Sequence, residues 1–176
     1  IKRLATYNPE RPLPKIFRLV KNGRLIEGLY EGETLNTPSM FCVADALDSL
    51  LWIKDLGGLP ETIRRSNENF ECLQGWVDRR PWIENLVSDP SNRSNTSVCL
   101  KFSDKRFIAL NPDQKNHFIK EFVLRLEAEN AAFDIKGHRN APPGLRIWCG
   151  ATINLDDLQK LLPWLDWCFS ETVSSY

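Results

Sequence analysis

The stretch Asn111-Pro112-Asp113-Gln114-Lys115-Asn116-His117-Phe118-Ile119-Lys120-Glu121-Phe122-Val123-Leu124-Arg125-Leu126 reads as one amphipathic helix. Asn-Pro-Asp is a helix start, and Phe118, Ile119, Phe122, Val123 and Leu126 recur at helical spacing as an apolar stripe. Strand-like runs flank it, at residues 82–87 and 95–102 before and at 132–135 and 145–148 after. Further out, a helix opened by Pro60 carries Ile63, Phe70, Leu73, Trp76 and Val77 on its inner side and ends at Pro81. Asn154 caps a last helix with Asp156 and Asp157 in its first turn, which Pro163 kinks or restarts. From residue 60 the order is helix, strand, strand, helix, strand, strand, helix. That order predicts an α+β fold of two layers, a small sheet covered by helices on one face.

Upstream, residues 1–7 read as the tail of a helix, and Pro9, Pro12 and Pro14 enforce an extended segment. Residues 16–20 and 24–30 flank Lys21-Asn22-Gly23, whose Asn-Gly pair suits the type I′ turn of a β-hairpin. Thr37 is placed to cap a long helix and Pro38 to open it. Cys42, Val43, Ala46, Leu47, Leu50, Leu51 and Ile53 follow at helical spacing, and Gly57-Gly58 stops the helix.

Composition narrows the function. The 176 residues are 42% apolar, with 23 basic and 23 acidic residues, so the chain can bury a core and has no net charge. Balanced charge argues against a general nucleic-acid or membrane-surface binder, so any anion site is local. The apolar runs are only a few residues long, too short to span a bilayer. Five widely spaced cysteines with no Cys-x-x-Cys pair fit reduced, buried thiols better than a disulfide framework or a zinc site. The two histidines, His117 and His138, cannot by themselves assemble a metal centre.

Chemistry concentrates in the loop Lys136-Gly137-His138-Arg139-Asn140-Ala141-Pro142-Pro143-Gly144-Leu145-Arg146. It holds three fixed cations and a histidine, and the arginine fork matches a carboxylate or phosphate. A strand through Leu145, Arg146 and Ile147 turns Arg146 away from its two apolar neighbours, where it needs an anion. A solvated loop with a structural ion pair is the alternative. Asn36-Thr37-Pro38-Ser39 is either a phosphate-binding helix start or an ordinary cap. Arg93-Ser94-Asn95-Thr96-Ser97 is a polar site or, more simply, a turn held by side-chain hydrogen bonds. No Ser-His-Asp signature or Gly-rich phosphate loop is present.

Asn36-Thr37-Pro38-Ser39 after a hairpin, Arg93 to Ser97, Gly137-His138-Arg139, and Pro142-Pro143-Gly144-Leu145-Arg146-Ile147-Trp148 closing on Gly150-Ala151-Thr152 together resemble phosphoserine aminotransferase. The resemblance runs in order over essentially the whole chain and covers the family's carboxy-terminal half. It implies residues 1–56 as a remnant of the large cofactor-binding domain and residues 57–176 as the small domain of a fold type I aminotransferase. It implies pyridoxal phosphate as cofactor, a cytoplasmic homodimer, and amino transfer between glutamate and 3-phosphohydroxypyruvate, giving phosphoserine and 2-oxoglutarate. Serine biosynthesis, and in some bacteria pyridoxine biosynthesis, would be served. By position, Asn36 and Thr37 resemble residues that reach the cofactor phosphate of the other subunit. Arg146 resembles the arginine on the substrate α-carboxylate, and His138 and Arg139 resemble residues near the substrate phosphate. The loop departs from the family pattern Gly-His-Arg-x-x-Gly-Gly-x-Arg by one extra residue.

The family's Schiff-base lysine follows a glutamine upstream of the Asn-Thr-Pro segment. Gln114-Lys115 and Gln159-Lys160 lie downstream of it, within helical patterns, and match neither its place nor its setting. The chain is therefore expected to be a piece of the enzyme with no catalytic lysine of its own, and inactive alone. Competing readings are an alanine– or serine–glyoxylate aminotransferase and a stand-alone anion-binding regulatory module.

Overall fold

The computed structural model describes residues 2–7 and 10–176. Ile1 and Pro9, which belong to the expected helix tail and extended segment, lie outside the described residues. The chain divides into two compact units, Ile1–Trp52 and Ile53–Tyr176.

In the first unit α1 (Lys2–Thr6) precedes an antiparallel hairpin of β1 (Val20–Lys21) and β2 (Arg24–Leu25). Asn22 and Gly23 at the turn have φ of 51° and 73°, the left-handed pair that a type I′ turn requires. The strands are shorter than the sequence suggests, because Lys15–Phe17 and Glu27–Tyr30 curl into single 3₁₀ turns. No described side chain of this unit is buried, so no second layer rewards a longer ribbon. The long helix α2 (Met40–Leu56) starts later than expected. Ser39 Oγ, not Thr37, accepts from the Cys42 amide at 3.4 Å, and Pro38 lies before the helix. The apolar residues of α2 stay exposed, Phe41 at 83%.

The second unit carries the core. Gly57, at φ 122°, separates α2 from α3 (Gly58–Val77), with Pro60 tolerated inside the first turn. β3 (Ile83–Asn85) and β4 (Ser97–Phe102) follow, then α4 (Lys105–Ala109), α5 (Pro112–Ala128), β5 (Gly144–Trp148) and α6 (Leu155–Val173). The strands form one antiparallel sheet in the order β3-β4-β5. The expected two-layer α+β arrangement is what forms. Val98, Leu100 and Phe102 alternate inward along β4, opposite Ile147 and Leu145 of β5 and Ile83 of β3. They pack with Leu73 and Trp76 of α3, the whole predicted stripe of α5, and Leu165, Cys168 and Phe169 of α6. α5 is stopped from fraying by a reciprocal cap in which Asn111 and Gln114 each bond the other's backbone amide.

Some sequence expectations for this unit fail for local reasons, and one short helix lies where none was expected. Residues 132–135 form no strand, since Asn130 and Asp134 take left-handed backbone at φ 55° and 53°. Pairing there is limited to the Lys136–Leu145 bridge. The short α4, capped by the Asp104 carboxylate on the Arg106 amide, is too brief to show a period. α6 runs through Pro163 unbroken, because the proline and Gln159, whose carbonyl loses its partner, both face solvent. The five thiols are free, but only Cys149 and Cys168 are buried, with Cys42 exposed. Burial pushes the Cys149 thiol up to about 12 and Cys168 to about 11.

Phe102 is the hub of an aromatic core. Its ring lies 4.9 Å from Phe107, 5.3 Å from Phe118, 5.4 Å from Phe122 and 5.8 Å from Trp82 between centroids. Trp82 in turn stacks on Phe169 at 4.1 Å. At the edge of this core Arg80 grips Asp166 of α6 through two bonds of 2.6 and 2.7 Å, and the Trp76 indole donates to the same carboxylate.

Phe102→Ala should cost about 3–5 kcal/mol of unfolding free energy, whereas Leu124→Ala on the exposed side of α5 should stay within about 0.5 kcal/mol. Urea denaturation of both variants measures this, and equal costs would refute the placement of the core. Burial tends to raise the Asp166 carboxyl, but the Arg80 guanidinium and the Trp76 N–H outweigh it and hold it below the usual carboxylate range. Its folded value thus lies below its unfolded one, so its contribution is full above the unfolded value and lost as pH falls through the folded one. Asp166→Asn should lower stability near neutral pH by about 1–2 kcal/mol, the partners being part-exposed, and the deficit should vanish once pH falls below the folded value of this carboxyl. Denaturation curves across pH test both the size and the sign.

Candidate functional site

Arg146 occupies the middle of β5, an edge strand of the three-stranded sheet. Leu145 and Ile147 are buried at 1% and 2% exposure and face the helices, so the pleat turns Arg146 to the opposite side. Its cross-strand partner is Cys99. The strand is fixed tightly at its start, where Gly144 pairs with Lys101 and lies against the Leu100 carbonyl with no room for a Cβ. The Arg146 amide donates to the Ile135 carbonyl at 2.8 Å, which ties the 131–135 turn to the strand edge.

Among the described residues, the guanidinium meets one anion of the chain. Arg146 Nη2 lies 3.4 Å from Asp134 Oδ2, with Arg146 38% and Asp134 90% exposed. Both residues border a cavity of about 410 Å³ between the sheet edge and the start of α6, walled by Phe133, Trp148, Leu158 and Leu161. No local pattern marks Asp134 as a partner of Arg146, because the pair spans twelve residues and depends on the turn that 130–134 makes. Only its aspartate identity, tolerant of left-handed backbone, hints at that turn.

The other candidates fall elsewhere. His138 and Arg139 are exposed at the tip of the 137–144 loop and do not line this cavity. The loop is closed by Gly137 donating to the Gly144 carbonyl at 3.0 Å and by Ala141 donating to the His138 carbonyl at 2.8 Å. His138 Nδ1 accepts from the Asn140 amide, which orients the ring. Asn36 and Thr37 are exposed in the first unit, in the turn ahead of α2. Arg93 to Ser97 is a structural turn. Arg93 donates to the Val87 and Ser88 carbonyls, and Ser94 Oγ accepts from the amides of Thr96 and Ser97. The Gly150–Asn154 turn beyond β5 is anchored by α3. Buried Asn69 donates to the carbonyls of Cys149, Gly150 and Ile153, and Arg65 donates to those of Ala151 and Ile153 and to the Asn154 side chain. That bond takes Asn154 Oδ1 away from the α6 amides it was expected to cap.

No protein-family model matches the chain. Its sequence is 43% identical over 169 residues to a phosphoserine aminotransferase of Methanosarcina mazei, covering 96% of this chain and 43% of that protein. A phosphoserine aminotransferase of Methanosarcina barkeri is 42% identical over 170 residues, again covering 43% of its length. The fold is similar to that of the Bacillus circulans subsp. alkalophilus phosphoserine aminotransferase, with a TM-score of 0.63 at 21% identity over 77% of this chain and 34% of the other. A Trichomonas vaginalis phosphoserine aminotransferase with pyridoxal phosphate bound gives 0.62 at 20% identity, over 78% and 36%. In sequence over nearly its whole length, and in fold over most of it, the chain is therefore similar to the phosphoserine aminotransferases, and it spans less than half the length of the relatives it matches.

Proposed function

We propose that this chain is the substrate-carboxylate-binding part of a pyridoxal-phosphate-dependent phosphoserine aminotransferase. The observation that carries the reading is Arg146, held by Gly144 and two buried neighbours so that its fork leaves the core and faces solvent. The reaction's amino donor and its product are both amino acids, so one arginine can hold the same α-carboxylate in each half-reaction by two parallel hydrogen bonds. Arg139, exposed seven residues before Arg146 in the same loop, then serves the distal phosphate or γ-carboxylate, with His138 beside it. Residues 1–56 belong on this reading to the large domain and residues 57–176 to the small one.

Asn36 and Thr37 suit the cofactor's phosphate chemically, since an amide and a hydroxyl are both donors and both are exposed. They would hold it across a homodimer. When bound, the cofactor supplies the electron sink for amino transfer. The chain's own residues contribute binding and orientation. Lys115 sits 5.8 Å over the Phe107 ring and Lys160 lies beside Asp157 on α6, which supports assigning the Schiff-base role to neither. Action in the cytoplasm, in serine and pyridoxine biosynthesis, completes the proposal.

Two experiments bear on it. The chain alone, given pyridoxal phosphate, glutamate and 3-phosphohydroxypyruvate, should show no turnover, and borohydride should fix no stoichiometric cofactor on Lys115 or Lys160. Turnover with specific labelling of either lysine would refute the lysine assignment. In the complete enzyme, Arg146→Lys should lower kcat/KM about tenfold or more for phosphoserine and for glutamate alike, since one charged bond of the fork is lost. Arg139→Ala should change the ratio between the two. Preference for alanine over phosphoserine would favour the glyoxylate-type enzyme, and a neutral Arg146→Lys would reduce Arg146 to a structural ion-pair residue.

A further inference from the structure

We propose that Asp134 is an internal carboxylate that holds the Arg146 guanidinium ready and gives way to the carboxylate of the substrate, so that it sets how tightly substrate acids bind. The inference rests on Arg146 being the carboxylate-binding residue.

The geometry of the pair is that of a placeholder. In the same molecule Arg80 and Asp166 form a two-bond fork at 2.6 and 2.7 Å with an indole donor on the carboxylate. Arg146 and Asp134 make a single contact at 3.4 Å through one terminal nitrogen. Both two-bond faces of a guanidinium, Nε with Nη2 and Nη1 with Nη2, use the nitrogen that Asp134 occupies, so an incoming acid meets Asp134 at the donor it needs. Among the described residues, Asp134 makes no other side-chain hydrogen bond, and its carboxylate is 90% exposed, so nothing holds it on Arg146 except the charge.

The backbone nevertheless delivers it to that place. Asp134 takes left-handed backbone at φ 53°, and its neighbour Ile135 is pinned to the Arg146 amide at 2.8 Å. Asp134 is therefore kept one residue from the segment pinned to the arginine's strand while its side chain stays exposed to solvent. A substrate carboxylate entering the cavity that both residues border must displace an anion already present. Exposed pairs of this kind are weak, so displacement is easy, but the competition falls equally on every substrate that presents the same carboxylate. Asp134 is thus a positioning and affinity-setting residue that need not touch the substrate.

The test uses the complete enzyme with Asp134→Asn, which keeps size and tolerates the left-handed backbone, and with Asp134→Gly, which adopts it freely. Both variants should lower KM for glutamate and for phosphoserine by the same factor, about two- to fivefold at low salt, acting through KM rather than kcat. The advantage should shrink as salt is raised, because screening removes the competing charge. Calorimetric titration with succinate, a dicarboxylate with no amino or oxo group to react, should show the same tightening. Unchanged or raised KM in both variants, or an effect on one substrate only, would overturn the proposal for Asp134. If Arg146→Lys still impairs both substrates in that case, the reading of Arg146 stands alone. If Arg146→Lys is neutral, both fall together.

Discussion

One-sided burial of the β3-β4-β5 sheet is the constraint from which the rest of the second unit follows. Each strand spends alternate residues on the helical layer, and Phe102 lies where the layers converge, in contact with rings from α4, α5 and α6. Because the side-chain period of a strand is two, burying Leu145 and Ile147 leaves Arg146 no other direction than outward. A slip of one residue in β5 would bury a guanidinium and expose two aliphatic side chains. The cost of that error locks the register, with Gly144 against Leu100 admitting no other pairing at the strand start.

The polar groups at the margins of the core hold the helices in the positions this register needs. Arg80 and Trp76 close on Asp166, which fastens α3 to α6. Asn69, buried to 1% exposure, satisfies three carbonyls of the turn that carries the chain from β5 into α6. These bonds leave no buried side-chain nitrogen or oxygen unpaired among the described residues. The buried thiols of Cys149 and Cys168 are held neutral by the same apolar surroundings.

The candidate site contrasts with this interior. Its cations lie on an edge strand and an exposed loop, with partners that are loose or solvent-facing, as binding groups on a rigid scaffold are. The relatives that the chain matches are more than twice its length.

The sequence by itself determined the layered α+β order, the α5 stripe from Phe118 to Leu126, the Asn22-Gly23 turn and the outward direction of Arg146. Each of these is a local pattern of period or turn chemistry, legible because neighbouring residues carry it. The ordered motifs around Asn36, His138 and Arg146 also carried the resemblance to the aminotransferases. What only the tertiary structure decided depends on residues distant in the chain. The left-handed turns at Asn130 and Asp134 removed an expected strand and brought Asp134 to Arg146. The solvent beside Pro163 and Gln159 let α6 continue where proline alone predicts a kink. The helix start shifted from Thr37 to Ser39, because the acceptor that reaches the third amide is fixed by backbone geometry, not by residue type alone.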